Sequence, residues 1–320
     1  MCDTAYQQIF PYLPQSLRNL LEALPPEQLR GLEEIRLKPG LPVLLRFDES
    51  EALLTSAGNL TSDQTAEGLR LLSPDEMRRT VLLLADSSLY AFEEELRRGY
   101  ITLNGGHRAG LTGRAVLAQG TIRTIKEISG INIRIARHIA GVALPLLPCL
   151  VDAQARLLPT LIISPPRAGK TTMLRDLARL LSDGVGIPPL RVGLVDERSE
   201  LAAMRNGIAQ LPVGLRTDVM DGCPKAEGML LLLRSMSPDV LITDEIGRNE
   251  DATALREAAH AGVAVIASAH GCDEAEIRLR PVLAGLLAEN AFRRIVILSR
   301  RHGPGTIERV YAPGGEGDIA

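Results

Sequence analysis

Five apolar runs in the carboxyl-terminal half predict an α/β fold: TLIIS (160–164), RVGLVD (191–196), DVLITD (239–244), VAVIAS (263–268) and RIVILS (294–299), each separated from the next by helical segments. Short, continuously apolar strands alternating with helices are the pattern of a parallel sheet covered on both faces. The run SPPRAGKTT (164–172) between the first strand and a helix narrows this to a P-loop NTPase (RecA-like) sheet. The first 143 residues lack the alternation and read as a smaller α+β domain. The predicted organisation is therefore 1–143, an amino-terminal α+β domain; 144–312, a P-loop domain; and 313–320, a flexible tail.

In the first part, EIRLK (34–38) and PVLLRF (42–47) are strand candidates, and a helix is expected from Pro74 to Arg98 with Ser73 as its cap. INIRIARH (131–138) alternates Ile131, Ile133 and Ile135 with Asn132, Arg134 and Ala136, as a half-buried strand does, which leaves Arg134 on an exposed face. IAGVALPLLPCLV (139–151) is too short to span a bilayer and contains Pro145 and Pro148; it suits a buried connector. After SPPRAGKTT, residues Met173, Leu174, Leu177, Leu180 and Leu181 recur with helical spacing.

Composition bounds the function. The 320 residues are 45% apolar and 23% charged, enough for a buried core, and the net charge of −3 argues against a general nucleic-acid binder. Cys2, Cys149, Cys223 and Cys272 lie far apart without a CxxC pair, so reduced thiols are expected rather than a zinc site or disulfide framework. MCDTAYQQIFPYLP has neither the basic start nor the apolar run of a secretory signal, and a cytoplasmic protein is expected.

Ligands of an open parallel sheet bind beyond the carboxyl ends of its strands, and the polar residues gather there. Ser164, Pro165, Pro166, Arg167, Ala168, Gly169, Lys170, Thr171 and Thr172 form the phosphate loop and helix start. The amides of Arg167 to Thr172 can wrap a β-phosphate, Lys170 can reach the β and γ oxygens, and the Thr171 hydroxyl can bind Mg²⁺. At the end of DVLITDEIG, Asp244 suits the magnesium ion and Glu245 the attacking water, the division of labour that phosphoryl transfer from ATP requires. The end of RVGLVDERSE offers Asp196, Glu197 and Glu200 to water or magnesium, and His270 can hydrogen-bond a γ-phosphate. Structural alternatives stand beside these readings: helix capping for the acidic pairs, a satisfied structural histidine for His270.

GLVDERSELAA, LRTDVMDGCPKAEGMLLLLRSMSPDVLITDEIG and AGVAVIASAHG, with EIRLKPGLPV, NGGHRAGLTGRAV and IKEISGINIRIAR before them, resemble the stage III sporulation protein AA family over nearly the whole chain. More distantly, the carboxyl half is similar to type II and type IV secretion ATPases, whose acidic and histidine boxes correspond to VDERSE and the segment around His270. The resemblance implies a cytoplasmic ATPase at the mother-cell face of the forespore membrane, docked on integral proteins of the mother-cell-to-forespore channel. It also implies a homo-oligomer, usually a hexamer, with ATP between subunits and arginines completing the site. Arg134, Arg137, Arg198, Arg205, Arg216 and Arg248 are candidates for that last role. A nucleotide-binding assembly scaffold with negligible turnover and a nucleic-acid-dependent ATPase are the alternative functions; no nucleic-acid-binding module is visible.

Ser164 stands where the pattern GxxxxGK[ST] opens with glycine. The residue before a proline is pushed towards extended geometry, which serine adopts without strain, so the substitution is expected to leave the loop competent. Accordingly, Ser164→Gly should change ATP affinity by less than about tenfold. Equilibrium titration with labelled nucleotide in magnesium checks this; binding only by the glycine variant would show a defunct loop.

Overall fold

A computed structural model describes residues 5–47, 50–85, 96–97, 99–118, 120–136 and 139–314. The chain divides into two compact units, one of residues 1–137 with 205–210 and one of 138–204 with 211–320.

The first unit is α+β. Its sheet has the order β4-β3-β2-β1-β7-β6-β5, with β1 Leu32–Leu37, β2 Leu44–Phe47, β3 Glu51–Leu54, β4 Leu60–Thr61, β5 Tyr100–Thr102, β6 Arg108–Ala118 and β7 Thr121–Arg134. All neighbours pair antiparallel. Helix α1 (Gln15–Glu22) supplies Leu17 and Leu21 to a core that includes Ile35, Leu37, Leu45, Ile131 and Ile133; the short α2 (Pro26–Leu29) adds Leu29.

Helix α3 (Pro74–Ala85) opens with a reciprocal cap: the Glu76 amide donates to Ser73 Oγ at 3.1 Å, and the Ser73 amide donates to the Glu76 carboxylate at 3.0 Å. Most of the helix expected after Ala85, residues 86–95 and Arg98, lies outside the described residues. The alternating isoleucines end the long strand β7. Ile131 and Ile133 are buried, whereas Arg134 is exposed and its Nε lies 3.4 Å from Glu34.

The second unit is built on a sheet of order β12-β9-β13-β14-β8-β15-β16. The five apolar runs are β8 Thr160–Ser164, β9 Val192–Asp196, β13 Val240–Thr243, β14 Ala264–His270 and β15 Arg294–Ser299. These and β12 (Thr217–Asp221) are parallel; β16 (Thr306–Tyr311) turns back antiparallel along β15. Leu161 and Ile163 of β8 pack with Val195, Leu241 and Ala267 against α5 (Lys225–Ser235), α6 (Asn249–His260) and α8 (Pro281–Ala288), beyond the short α7 (Glu274–Arg278). Helix α4 (Lys170–Asp183) lies against the sheet and buries Met173, Leu174, Leu177, Leu180 and Leu181. The connector before β8 is a 3₁₀ stretch, Leu144–Leu150, with Leu146, Leu147 and Leu150 buried. The architecture is the P-loop α/β fold, with a smaller α+β unit before it.

A small hairpin of β10 (Met204–Arg205) and β11 (Ile208–Ala209) interrupts the second unit. Its residues 205–210 belong to the first unit, where Arg205 donates to the Tyr12 hydroxyl and to Asn104, each at 2.6 Å.

Candidate nucleotide site

Strand β8 delivers Ser164 in extended geometry, paired in register with His270 of β14, and the Ser164 carbonyl accepts from the Gly271 amide at 3.1 Å. The Ser164 hydroxyl turns onto the Pro165 carbonyl at 3.0 Å. Serine is therefore accommodated as strand backbone, and no positive φ is required of it.

Two later loop residues do take left-handed backbone, Arg167 at φ 60° and Gly169 at φ 88°. Such turns aim successive amides into one concavity, and here they lead into the N-terminus of α4. Gly169 caps that helix without a side chain, so none competes with a ligand for the first-turn amides. A Cβ on Gly169 would also stand 2.8 Å from the Gly305 backbone nitrogen. The Gly305 amide donates to Ala168 O at 2.9 Å, so the β15–β16 turn props the phosphate loop from outside.

Lys170, the first residue of α4, is mostly buried, and this desolvation pushes its ammonium pKa down, opposed by the charge of Glu245. Its Nζ lies 3.6 Å from Glu245 Oε1, and Arg198 Nη1 lies 3.2 Å from Oε2. Glu245 follows β13 with φ 37°, a left-handed conformation that costs a non-glycine residue about 1 kcal/mol or more. Ser268 in β14 braces that turn: its hydroxyl accepts from the Glu245 amide at 3.0 Å and its carbonyl from the Ile246 amide at 2.9 Å. Beyond it, Asp251 accepts from the Gly247 and Arg248 amides, both at 3.0 Å.

Asp244 is 5% exposed, and its Oδ1 is a buried acceptor with no hydrogen-bond partner. Burial pushes its carboxyl up to about 6, with the Lys225 ammonium pulling the other way. An anionic oxygen left bare in the interior, beside the helix carrying Thr171, fits a divalent cation completed by phosphate oxygens and water. Among the described residues no group of three or more His, Cys, Asp or Glu side chains could hold a metal ion by itself.

The acidic loop after β9 divides its labour. The Asp196 carboxylate accepts from the amides of Glu200 (2.8 Å), Leu201 and Ala202 (both 2.9 Å), so it shapes the loop instead of meeting a ligand. Glu197 is ion-paired with buried Lys225 at the start of α5 and lies 3.8 Å from Arg248 Nη1. His270 is exposed at the end of β14, one strand from the phosphate loop. The structure thus joins Lys170 and Glu245 directly and places Glu197 in a second charged cluster.

Lys225, Ser268 and Gly305, which lie outside the recognisable motifs, also belong to this neighbourhood. Two carried a signal: a lysine opening a helix works against the dipole, and a serine inside the apolar run VAVIAS is a buried polar group in need of a partner. The arginine candidates of this half are engaged within their own chain: Arg198 with Glu245, Arg248 with Glu197, Arg205 as above, and Arg216 with the Ser182 carbonyl at 3.0 Å. Arg137 lies outside the described residues.

Solved structures share this fold. The ATPase DotB of Legionella pneumophila is similar with TM-score 0.55 and 15% identity, covering 88% of this chain and 74% of that one. The pilus retraction motor PilT, solved with bound ADP, has TM-score 0.55 and 15% identity over 83% of this chain and 74% of its own. At such identity the likeness shows a shared fold alone, the P-loop α/β fold. In sequence, the stage III sporulation protein AA of Bacillus subtilis (strain 168) is 47% identical over 305 residues, 95% of this chain and 94% of the relative. The model of sporulation stage III, protein AA matches residues 3–317, and the chain belongs to that family.

Two outcomes follow from this geometry. Gly169→Ala places a Cβ on backbone at a left-handed position and should lower stability by about 1 kcal/mol or more while weakening nucleotide binding, as thermal melts with and without Mg-ATP will show. For Asp244, the folded-state pKa lies above the ordinary carboxylate value near 4, so the nucleotide-free folded state binds the extra proton and loses stability as pH rises through about 4 to 6. Asp244→Asn removes that penalty. Its Tm advantage over wild type should be larger near pH 7.5 than near pH 5, and a difference that does not grow with pH contradicts the burial account.

Proposed function

We propose that this chain is a Mg-ATP-hydrolysing, secretion-type ATPase that energises or gates the mother-cell-to-forespore channel during endospore formation. The observation that carries this reading is the 3.6 Å approach of the phosphate-loop Lys170 to Glu245 at the end of β13, two strands away in the sheet. A helix-terminal lysine and a carboxylate held on a braced, left-handed turn sit where a γ-phosphate and its attacking water can lie between loop and strand.

In this proposal the amides of Arg167 to Thr172 cradle the β-phosphate, and Lys170 moves from Glu245 to the β and γ oxygens. Glu245, released, orients the attacking water and accepts its proton. Thr171 and Asp244 hold Mg²⁺, which when bound neutralises phosphate charge. Glu197 is ion-paired with Lys225 and Arg248 beside this centre, and His270 reports on the γ-phosphate from the end of β14. Residues 144–312 act as the ATPase domain, docked on integral channel proteins.

Family membership supports the sporulation setting, and the fold shared with DotB, an ATPase, and PilT, solved with bound ADP, supports nucleotide binding; the proposed assembly is a hexamer at a membrane complex. Among the described residues no helix is long and apolar enough to cross a membrane.

Turnover across protein concentration tests the proposal. Wild type should gain specific activity as subunits associate. Lys170→Ala should lose ATP binding or hydrolysis, and Glu245→Gln should keep ATP while turnover falls by about 10² or more. Unchanged turnover in both variants would refute the site; nucleotide-induced assembly without turnover in wild type would select the scaffold.

A further inference from the structure

The acidic loop brings Glu245 a second cation. Three amides closing on Asp196 bend the chain at Ser199, whose φ is 53°. Arg175 of α4 pins the bend by donating to the Glu200 and Leu201 carbonyls at 2.7 and 2.6 Å. Arg198 projects from this anchored loop to Glu245 Oε2, while Lys170 approaches Oε1. One carboxylate is thus bracketed by cations from two elements, one oxygen each.

The brackets differ in what ATP does to them. Lys170 lies at the phosphate loop and is drawn away by the incoming β and γ oxygens. Arg198 stands on the loop after β9, three strands from β8, and keeps its hold. Without a second cation, Glu245 would lose its only bracketing charge as the phosphates arrive, and carboxylate and γ-phosphate would repel across a short gap. Lys170 would then be costlier to detach in the resting site.

Resting on the Mg-ATP reading above, we infer that Arg198 is a positioning residue for Glu245 in the same chain, holding the carboxylate when Lys170 passes to the nucleotide. This differs from completion of a neighbouring subunit's site, in which the arginine would meet phosphate directly. The two roles give different double-mutant cycles.

The test is equilibrium titration of the full chain with a fluorescent ATP analogue in Mg²⁺, using Arg198→Ala, Glu245→Gln, the double variant and Arg198→Lys. Because Arg198 is more than half exposed, its removal should weaken binding modestly, by about two- to fivefold. In the Glu245→Gln background the same removal should change nothing, since there is no carboxylate to hold. Arg198→Lys should recover most of the loss, which a mere loop defect would not allow. An equal loss in both backgrounds would overturn the inference in favour of direct phosphate contact, and no loss in either would overturn it outright. Lys170→Ala separates the levels: binding that depends on Lys170 but shows no coupling refutes only the role of Arg198. Binding indifferent to Lys170, or absent in wild type, refutes the ATP site and this inference with it.

Discussion

The parallel register of β9, β13, β14 and β8 is the constraint on which the second unit depends. Thr243 pairs with Val195 on one side and Ala267 on the other, and His270 pairs with Ser164. All four strands run the same way, so every polar residue that ends an apolar run is carried to the same edge. Asp196, Asp244 and Glu245, His270 and the phosphate loop meet there without being near one another in sequence. The α4 N-terminus points its amides at that edge, which suits an anion.

Charge decides how this edge rests without a ligand. Burial raises the proton affinity of Asp244 and weakens that of Lys170, so each ionised form needs a partner. Glu245 sits between Lys170 and Arg198, and Glu197 between Lys225 and Arg248. The two carboxylates are thus compensated inside one chain before any nucleotide enters. Under the proposed function, binding is an exchange of partners: phosphates replace Glu245 at Lys170, and a divalent cation answers the bare oxygen of Asp244. An exchange needs less desolvation than burying new charge.

Much of this was legible because the second unit obeys simple periodicities. The five apolar runs are strands of the sheet, and the spacing of Met173, Leu174, Leu177, Leu180 and Leu181 marks the buried stripe of α4. Proline after Ser164 foretold its extended backbone. What escaped depends on partners distant in sequence. Beyond Leu111, strand β6 mixes glycine and apolar residues with Arg114 and is largely exposed, as is the outer part of β7, so neither presents a buried stripe. Strand β12, TDVMD, is half-buried at a sheet edge, and β16 is recognisable only by its pairing with β15. The pairing of Arg198 with Glu245 arises from a bend made by backbone amides on Asp196, which no residue pattern announces.

The exchange of partners at Lys170 is most directly observed in a crystal structure of the chain with a non-hydrolysable ATP analogue and Mg²⁺. The account predicts the β-phosphate within the amides of Arg167 to Thr172, Mg²⁺ beside Thr171 and Asp244, and Lys170 Nζ on phosphate oxygens and off Glu245. Nucleotide bound elsewhere, or bound at this loop with Lys170 still paired to Glu245, would contradict it.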